Sequence, residues 1–253
     1  MRCLAFMAWT MWCLGYPAQA VQRSQEALTL AQDLAQPYSL AGAHVWAARL
    51  HHHRREVAAV QARATATLAL ATAHGLPVFA GFATCWQGWA LAVQGRDAAG
   101  LVQLRQGMAA IDATGHTQSR PLYLILLAEA AGHVRQVQDG PPLAAEARRL
   151  LEANGQGDLL AEAYRLQGAL LLQQAVPDVV QAEDCFHQAL GLARHQRAKS
   201  WELRAALSLG RLWRRQGKRT AAHKLLKEVL GWFTEGFDTP DLQEAKALVD
   251  ERS

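Results

Sequence analysis

Histidines near residue 50 are the first candidates for chemistry, because imidazole is a common metal ligand. His44 precedes a run of three histidines, His51, His52 and His53. Consecutive residues of a helix point ~100° apart, so the three members of the run cannot face one ion together. His44 and His51 share a helix face, but no Cys, Asp or Glu joins them there. We therefore predict solvated or partly packed histidines, with no metal and no other cofactor.

A second candidate is the segment 217–220, Gly-Lys-Arg-Thr, which shares letters with a phosphate-binding loop. That loop needs a glycine where Leu212 stands, and a serine or threonine where Arg219 stands. The sequence also lacks the short motifs of zinc proteases, serine hydrolases and dinucleotide-binding enzymes. No nucleophile and base occur at a spacing that supports catalysis. We predict that the protein is not an enzyme.

The elements that would position any functional residue are clearest between residues 161 and 229. Each of two successive stretches there predicts a helix with a central small residue, a short turn and a second helix that opens on alanine. Stepping by about 40 residues extends the pattern over the whole chain. The small residues are Ala8, Ala48, Gly88, Ala128, Gly168 and Gly210. The turn residues are Gly15, Arg55, Gly95, Arg135, Ala175 and Gly217.

Small residues in this register indicate helical hairpins, because helices that approach to ~8–10 Å have no room for larger side chains. We predict an all-α fold, a right-handed α-α superhelix in the form of a single solenoid of about six hairpins over residues 1–253. The predicted repeats are 1–38, 39–76, 77–117, 118–157, 158–198 and 199–236, followed by a capping helix over 239–250. Asp158 and Thr239 are predicted helix N-caps, and the helix at Pro141–Pro142 should begin there and be short.

The N-terminal segment has a second interpretation. Its apolar run before residues 17–20, Pro-Ala-Gln-Ala, imitates a secretory signal, but Ala8 and Gly15 keep the repeat register, which favours a helix of the first repeat. The apolar outer face of that helix, with Leu4, Met7 and Met11 beside two tryptophans, predicts contact with a preceding segment, a partner or a second copy.

Composition bounds the location of the protein. Its four cysteines, Cys3, Cys13, Cys85 and Cys185, show no C-x-x-C spacing, which favours a reduced cytoplasmic chain. No apolar run reaches the ~18 residues of a membrane span, so we expect no membrane partner.

A basic block between Arg194 and Lys227 contains eleven arginines and lysines against one acidic residue, Glu202. Such a block could bind nucleic acid or an acidic partner, or could coat exposed helix faces with the side-chain stems packed over Ala and Leu. The second interpretation is favoured, and we do not expect nucleic acid as the main partner.

The first helix of each hairpin should line a concave groove, and its inward positions predict a binding surface. They place aromatic residues at one end of the groove and arginines at the other: Trp9, Trp12, Arg49, His52, Phe82, Trp89, Glu129, Arg165, Arg204, Arg211 and Arg214. Aromatic side chains could anchor an extended or helical peptide, and arginines could pair with its carboxylates. The alternative is that neighbouring helices bury the aromatic residues.

Leu209–Gly210, Trp213, Gly217, Ala222 and Leu226 together resemble the tetratricopeptide repeat pattern. The whole chain, and residues 232–246 (WFTEGFDTPDLQEAK) in particular, resembles the MalT-like C-terminal repeat region of bacterial signalling proteins. In those proteins a nucleotide-cyclase or AAA-type ATPase module precedes the repeats. This chain contains neither module, so the resemblance implies a sensing or recruiting role and no catalytic activity.

The expected function is therefore a non-catalytic scaffold or regulatory module in bacterial signalling or transcriptional regulation. Its partner would be a protein or peptide, acidic in character, held in the concave groove. Two alternatives remain open: a small-ligand sensor, and nucleic-acid binding through residues 194–227.

Overall fold

The computed structural model describes residues 1–95, 97–134 and 138–251. Within them it contains thirteen α-helices. They are α1 (Arg2–Cys13), α2 (Pro17–Asp33), α3 (Pro37–His53), α4 (Val57–His74), α5 (Pro77–Val93), α6 (Asp97–Ala113), α7 (Arg120–His133), α8 (Gly140–Ala153), α9 (Leu160–Leu171), α10 (Val179–His195), α11 (Lys199–Arg215), α12 (Arg219–Leu230) and α13 (Pro240–Asp250). A short 3-10 turn, Gly157–Leu159, precedes α9. The prediction of an all-α chain is confirmed.

The chain divides into two compact units. The first comprises Met1–Trp12 and Ala18–Gln136, and the second comprises Cys13–Pro17 and Val137–Ser253. In the first unit each helix from α3 to α7 packs on the next one along the chain. In addition α3 contacts α5, and α5 contacts α7. The odd-numbered helices of this unit therefore lie side by side in one layer.

The second unit follows the same rule. Successive helices from α8 to α13 pack on one another, and α9 contacts α11, which contacts α13. Helices packed in sequential pairs, with the first members of the pairs also touching, are the arrangement expected of helical hairpin repeats. We call the layer α9, α11 and α13 the odd layer of the second unit.

Glycine permits the closest of these pairings. A Cβ atom added to Gly88 of α5 would lie 2.6 Å from the backbone nitrogen of Leu104 in α6. One added to Gly168 of α9 would lie 2.9 Å from the carbonyl oxygen of Ala182 in α10. Both distances are shorter than a carbon atom tolerates, so these helices touch through their backbones. The predicted role of small residues in the hairpins is confirmed at these two positions.

Four of the six predicted turn residues behave alike despite their different side chains, whereas Ala175 does not adopt a positive φ angle. Gly15, Gly95 and Gly217 all have positive φ angles, between 80° and 91°. Arg55 occupies the same place in the pattern and also adopts a left-handed conformation, with φ of 62°. A non-glycine residue in this region stores about 1 kcal/mol of strain, which the flanking helices must offset. Arg135, the other arginine predicted at a turn, lies outside the described residues.

Helix ends follow the predictions at two of three places. Thr239 is the N-cap of α13 with Pro240 in the first turn, although the Thr239 hydroxyl donates to the Gly236 carbonyl rather than capping the helix. The prolines 141 and 142 lie in the first turn of α8, which has 14 residues. The prediction for Asp158 is wrong: it belongs to the 3-10 turn, and Leu159 is the N-cap of α9.

The N-terminal segment forms helix α1, and its two tryptophans point into the protein. Trp9 and Trp12 are buried, whereas Phe6 and Met7 are 49% and 41% exposed. The exposed apolar surface of α1 is therefore smaller than the sequence predicts. Among the described helices, none is long and apolar enough to cross a membrane.

Candidate functional site

All eleven residues predicted to line a groove lie on odd-numbered helices. Seven belong to α1, α3, α5 and α7 of the first unit: Trp9, Trp12, Arg49, His52, Phe82, Trp89 and Glu129. Four belong to α9 and α11 of the second unit: Arg165, Arg204, Arg211 and Arg214. We describe each group within its own unit.

Glu129 of α7 is the polar centre of the first group. Its Oε2 atom lies 2.8 Å from Nε2 of His52 on α3 and 3.2 Å from the indole nitrogen of Trp89 on α5. A carboxylate can only accept hydrogen bonds, so both nitrogens donate to it, and the tautomer of His52 carries a proton on Nε2. This pair of bonds ties the three helices together.

Aromatic rings surround that centre. The His52 ring lies 4.6 Å from the Trp89 ring and 5.4 Å from the Trp86 ring, measured between centroids. Trp9 stacks on Trp12 at 5.4 Å, and the Arg49 guanidinium lies 3.9 Å above the Trp9 ring. The structure thus brings the predicted residues of this unit together.

These side chains form a core. Trp9, Trp12, His52, Phe82 and Trp89 are all buried. The two interpretations left open by the sequence differ on this point, and burial favours packing between helices over anchoring a partner. The predicted groove set leaves out two members of this core, Trp86 and Tyr123, which are almost completely buried. Burial also raises the pKa of Tyr123 well above its usual value. Their place on α5 and α7, facing the same layer, was the available signal.

The histidines near residue 50 are packed rather than solvated. His51 pairs with Glu56 at 2.5 Å, while His44, His52 and His53 are buried. The sequence predicts solvated or partly packed histidines, and these three are packed more completely than that, because α3 lies between neighbouring helices and has little free surface. Within the described residues, no group of three or more potential ligands could hold a metal ion.

His44 makes the stability of the protein depend on pH. Desolvation, followed by the charge of Arg63, lowers the pKa of His44 from 6.5 to about 4. The unfolded chain therefore binds this proton at a higher pH than the folded chain does. The free energy of unfolding is therefore highest above pH 6.5. It falls as the pH drops toward 4, by at most about 3 kcal/mol from this residue. Urea unfolding of the His44→Gln variant between pH 4 and 7 should show a correspondingly smaller pH dependence than wild type. The variant of an exposed histidine, His195→Gln, should match wild type.

The second group consists of arginines that bridge helices. Arg204 of α11 donates to Asp241 of α13 at 2.8 Å and to Glu162 of α9 at 3.2 Å. Arg165 donates two hydrogen bonds to the same Glu162, at 2.7 and 2.8 Å. Because Glu162 and Arg204 are largely buried, this network is shielded from water.

Two further arginines of α11 reach α13. Arg211 donates to Glu244, with Nε 2.6 Å from the carboxylate oxygen. Arg214 pairs with Glu251 and also donates to the backbone carbonyl of Leu248 at 3.3 Å. All four predicted arginines therefore pair with acidic residues of their own unit. Arg211 remains 41% exposed, and so keeps donors within reach of solvent.

The basic block contains two groups of residues, those with and those without an acidic partner. Six of its eleven members have acidic partners: Arg194, Lys199, Arg204, Arg211, Arg214 and Lys218. The other five are exposed and have no acidic partner among the residues that the structure describes: Arg197, Arg215, Arg219, Lys224 and Lys227. The interpretation that basic side chains coat exposed helix faces fits four of these five, whereas Arg197 lies in the turn between α10 and α11.

Comparison with known proteins provides no family for this chain. No family model matches the sequence, and no curated protein matches it.

Proposed function

We propose that this chain is a non-catalytic protein-interaction module, a scaffold or regulatory domain that holds a peptide or partner protein on its odd-numbered helices. The tetratricopeptide-like spacing of its hairpins and its resemblance to MalT-like repeat regions support a role in bacterial signalling. The observation that carries the proposal is the odd layer of the second unit, where side-by-side helices present a row of arginines. Of these, Arg211 and Arg214 are the most open to solvent.

Arginine suits such a surface because its planar guanidinium has five donors and recognises carboxylates with defined geometry. Arg211 binds one carboxylate of α13, and Arg214 binds that of Glu251, directly after the helix. Exposed ion pairs of this kind contribute only about 0–1 kcal/mol each, so a partner's carboxylates can replace them with little loss. The aromatic residues of the first unit are buried and take no part in this proposal.

A displayed peptide library tests the proposed function. Selection against the immobilised chain should enrich peptides that bind wild type and lose at least tenfold in affinity against Arg211→Glu/Arg214→Glu. The matched control is Arg215→Glu/Arg219→Glu, which makes the same charge change at two exposed arginines that have no acidic partner among the described residues. Equal losses in the two variants would indicate non-specific attraction and contradict the proposal. Failure to enrich any peptide would do the same.

A further inference from the structure

Helix α13 docks on the second unit as an acidic peptide would. Its acidic residues at 241 and 244, and Glu251 directly after its last residue, pair in order with arginines at 204, 211 and 214 of α11. The order shows that the two helices run parallel. The first and last members of both sets are ten positions apart, whereas the middle pair is offset, because Glu244 follows Asp241 by three residues and Arg211 follows Arg204 by seven. Charge complementarity of this kind sets orientation and register more than it sets affinity.

Its apolar contact is small. Only Leu242 and Ala245 of α13 are fully buried, while Leu248 and Val249 pack partly against the core of the unit. A helix of 11 residues is also too short to be stable alone in water. The docked state of α13 therefore depends on the surface beneath it, and on the chain that tethers it.

The tether is the non-helical segment between Leu230 and Pro240. A short tether gives a linked segment an effective concentration in the millimolar range. A weak intrinsic contact can then stay occupied within the molecule, yet yield to a partner that binds the same arginines more tightly. The Arg214 donor at the Leu248 carbonyl adds a favourable charge at the C-terminal end of α13, which any helix docked in this direction would share.

From these contacts we infer that the arginine surface of α11 is a receptor for acidic amphipathic helices, and that α13 is its internal occupant, an assignment that rests on the function proposed above. The partner is a protein segment that forms a helix parallel to α11. It carries carboxylates at the places of Asp241 and Glu244, with apolar residues directly after each. Binding of this segment displaces α13, so the C-terminal helix regulates access to the surface.

A charge-swap experiment tests this inference on the full chain. The probe is a fluorescein-labelled peptide of residues 238–251, in wild-type form or with Glu244→Arg/Glu251→Arg. Its fluorescence anisotropy is measured against wild-type chain and against the Arg211→Glu/Arg214→Glu chain. In the swapped chain the internal α13 meets like charges, so the swapped peptide should bind at least tenfold more tightly than the wild-type peptide. The wild-type chain should show the opposite preference, with weak affinity because α13 competes.

Equal binding of both peptides to the swapped chain, or binding of neither, would overturn the inference. Far-ultraviolet circular dichroism establishes that the swapped chain is folded. If the swapped chain is unfolded, a competition experiment on the wild-type chain replaces the charge swap. The wild-type peptide should displace library-selected ligands, and the swapped peptide should not. Selected ligands that need Arg211 and Arg214, but are not displaced, would overturn the acidic-helix inference and leave the proposed function standing. If the wild-type chain were a dimer that the wild-type peptide converts to a monomer, the surface would bind α13 of a second copy. That result would overturn the inference of a different partner.

Discussion

Replacing Gly88 by alanine should destabilise the protein by about 2–3 kcal/mol, although alanine is the better helix former. A Cβ at Gly88 would lie 2.6 Å from the Leu104 nitrogen and 2.8 Å from the Gly100 oxygen. Both neighbours are backbone atoms of α6, so no side chain can turn away, and the helices must separate. Gly88→Leu should destabilise the protein further. Urea unfolding followed by circular dichroism measures the change.

Two other glycines make the test specific. Gly191 is an exposed helical glycine with nothing within 4 Å of its would-be Cβ, so Gly191→Ala should stabilise the protein by about 0.5–1 kcal/mol. The atoms nearest to a Cβ at Gly210 belong to the side chain of Leu226, the first at 3.1 Å, and that side chain can move. Gly210→Ala should therefore fall between the other two. A common effect of all three substitutions would show that α5 and α6 are not in backbone contact.

The same contacts explain why the helices were predictable from the sequence. Gly81 and Gly88 on α5 face Gly100 and Gly107 on α6. The close approach of these two helices can therefore be predicted from the positions of glycine in the sequence. Turns can be predicted in the same way, because glycine favours the left-handed backbone conformation that they require. Arg55 is an exception, because it adopts this backbone conformation without being a glycine. Each of these features depends only on neighbours along the chain.

The state of the predicted site residues depends on contacts between hairpins, which spacing does not encode. The positions of Trp89 and Glu129 on odd-numbered helices followed from the repeat register. Their burial did not, because it depends on how closely α3, α5 and α7 approach. The pairing of Arg211 with Glu244 depends on the register between α11 and α13, which are separated in the chain by α12 and a non-helical segment. An acidic final helix was visible in the sequence, but its partners were not.

Replacing Arg204 by alanine should destabilise the second unit by about 2–4 kcal/mol, the effect expected when one partner of a buried ion pair is removed. Arg204 is the largely buried bridge from Glu162 of α9 to Asp241 of α13. Arg165 still binds Glu162 in the variant, which keeps the loss below that of an isolated buried charge. Arg204→Lys keeps the charge but not the planar fork that reaches two carboxylates, so it should recover only part of the stability.

Arg219→Ala is the matched control, since Arg219 is exposed and lacks an acidic partner in the described structure; its stability should stay within about 0.5 kcal/mol of wild type. The stabilities of the three variants are measured by chemical unfolding. If Arg204→Ala unfolded like Arg219→Ala, the result would contradict the bridge.

The Arg204→Ala substitution also links stability to the proposed regulation. Arg204 holds the N-terminal end of α13, whereas Arg211 and Arg214 hold the rest. Loss of Arg204 alone should therefore loosen α13 while preserving Arg211 and Arg214. The 238–251 peptide would lose the same pair with Asp241, so the probe here is a library-selected ligand that depends on Arg211 and Arg214, and it should bind this variant more tightly than it binds wild type.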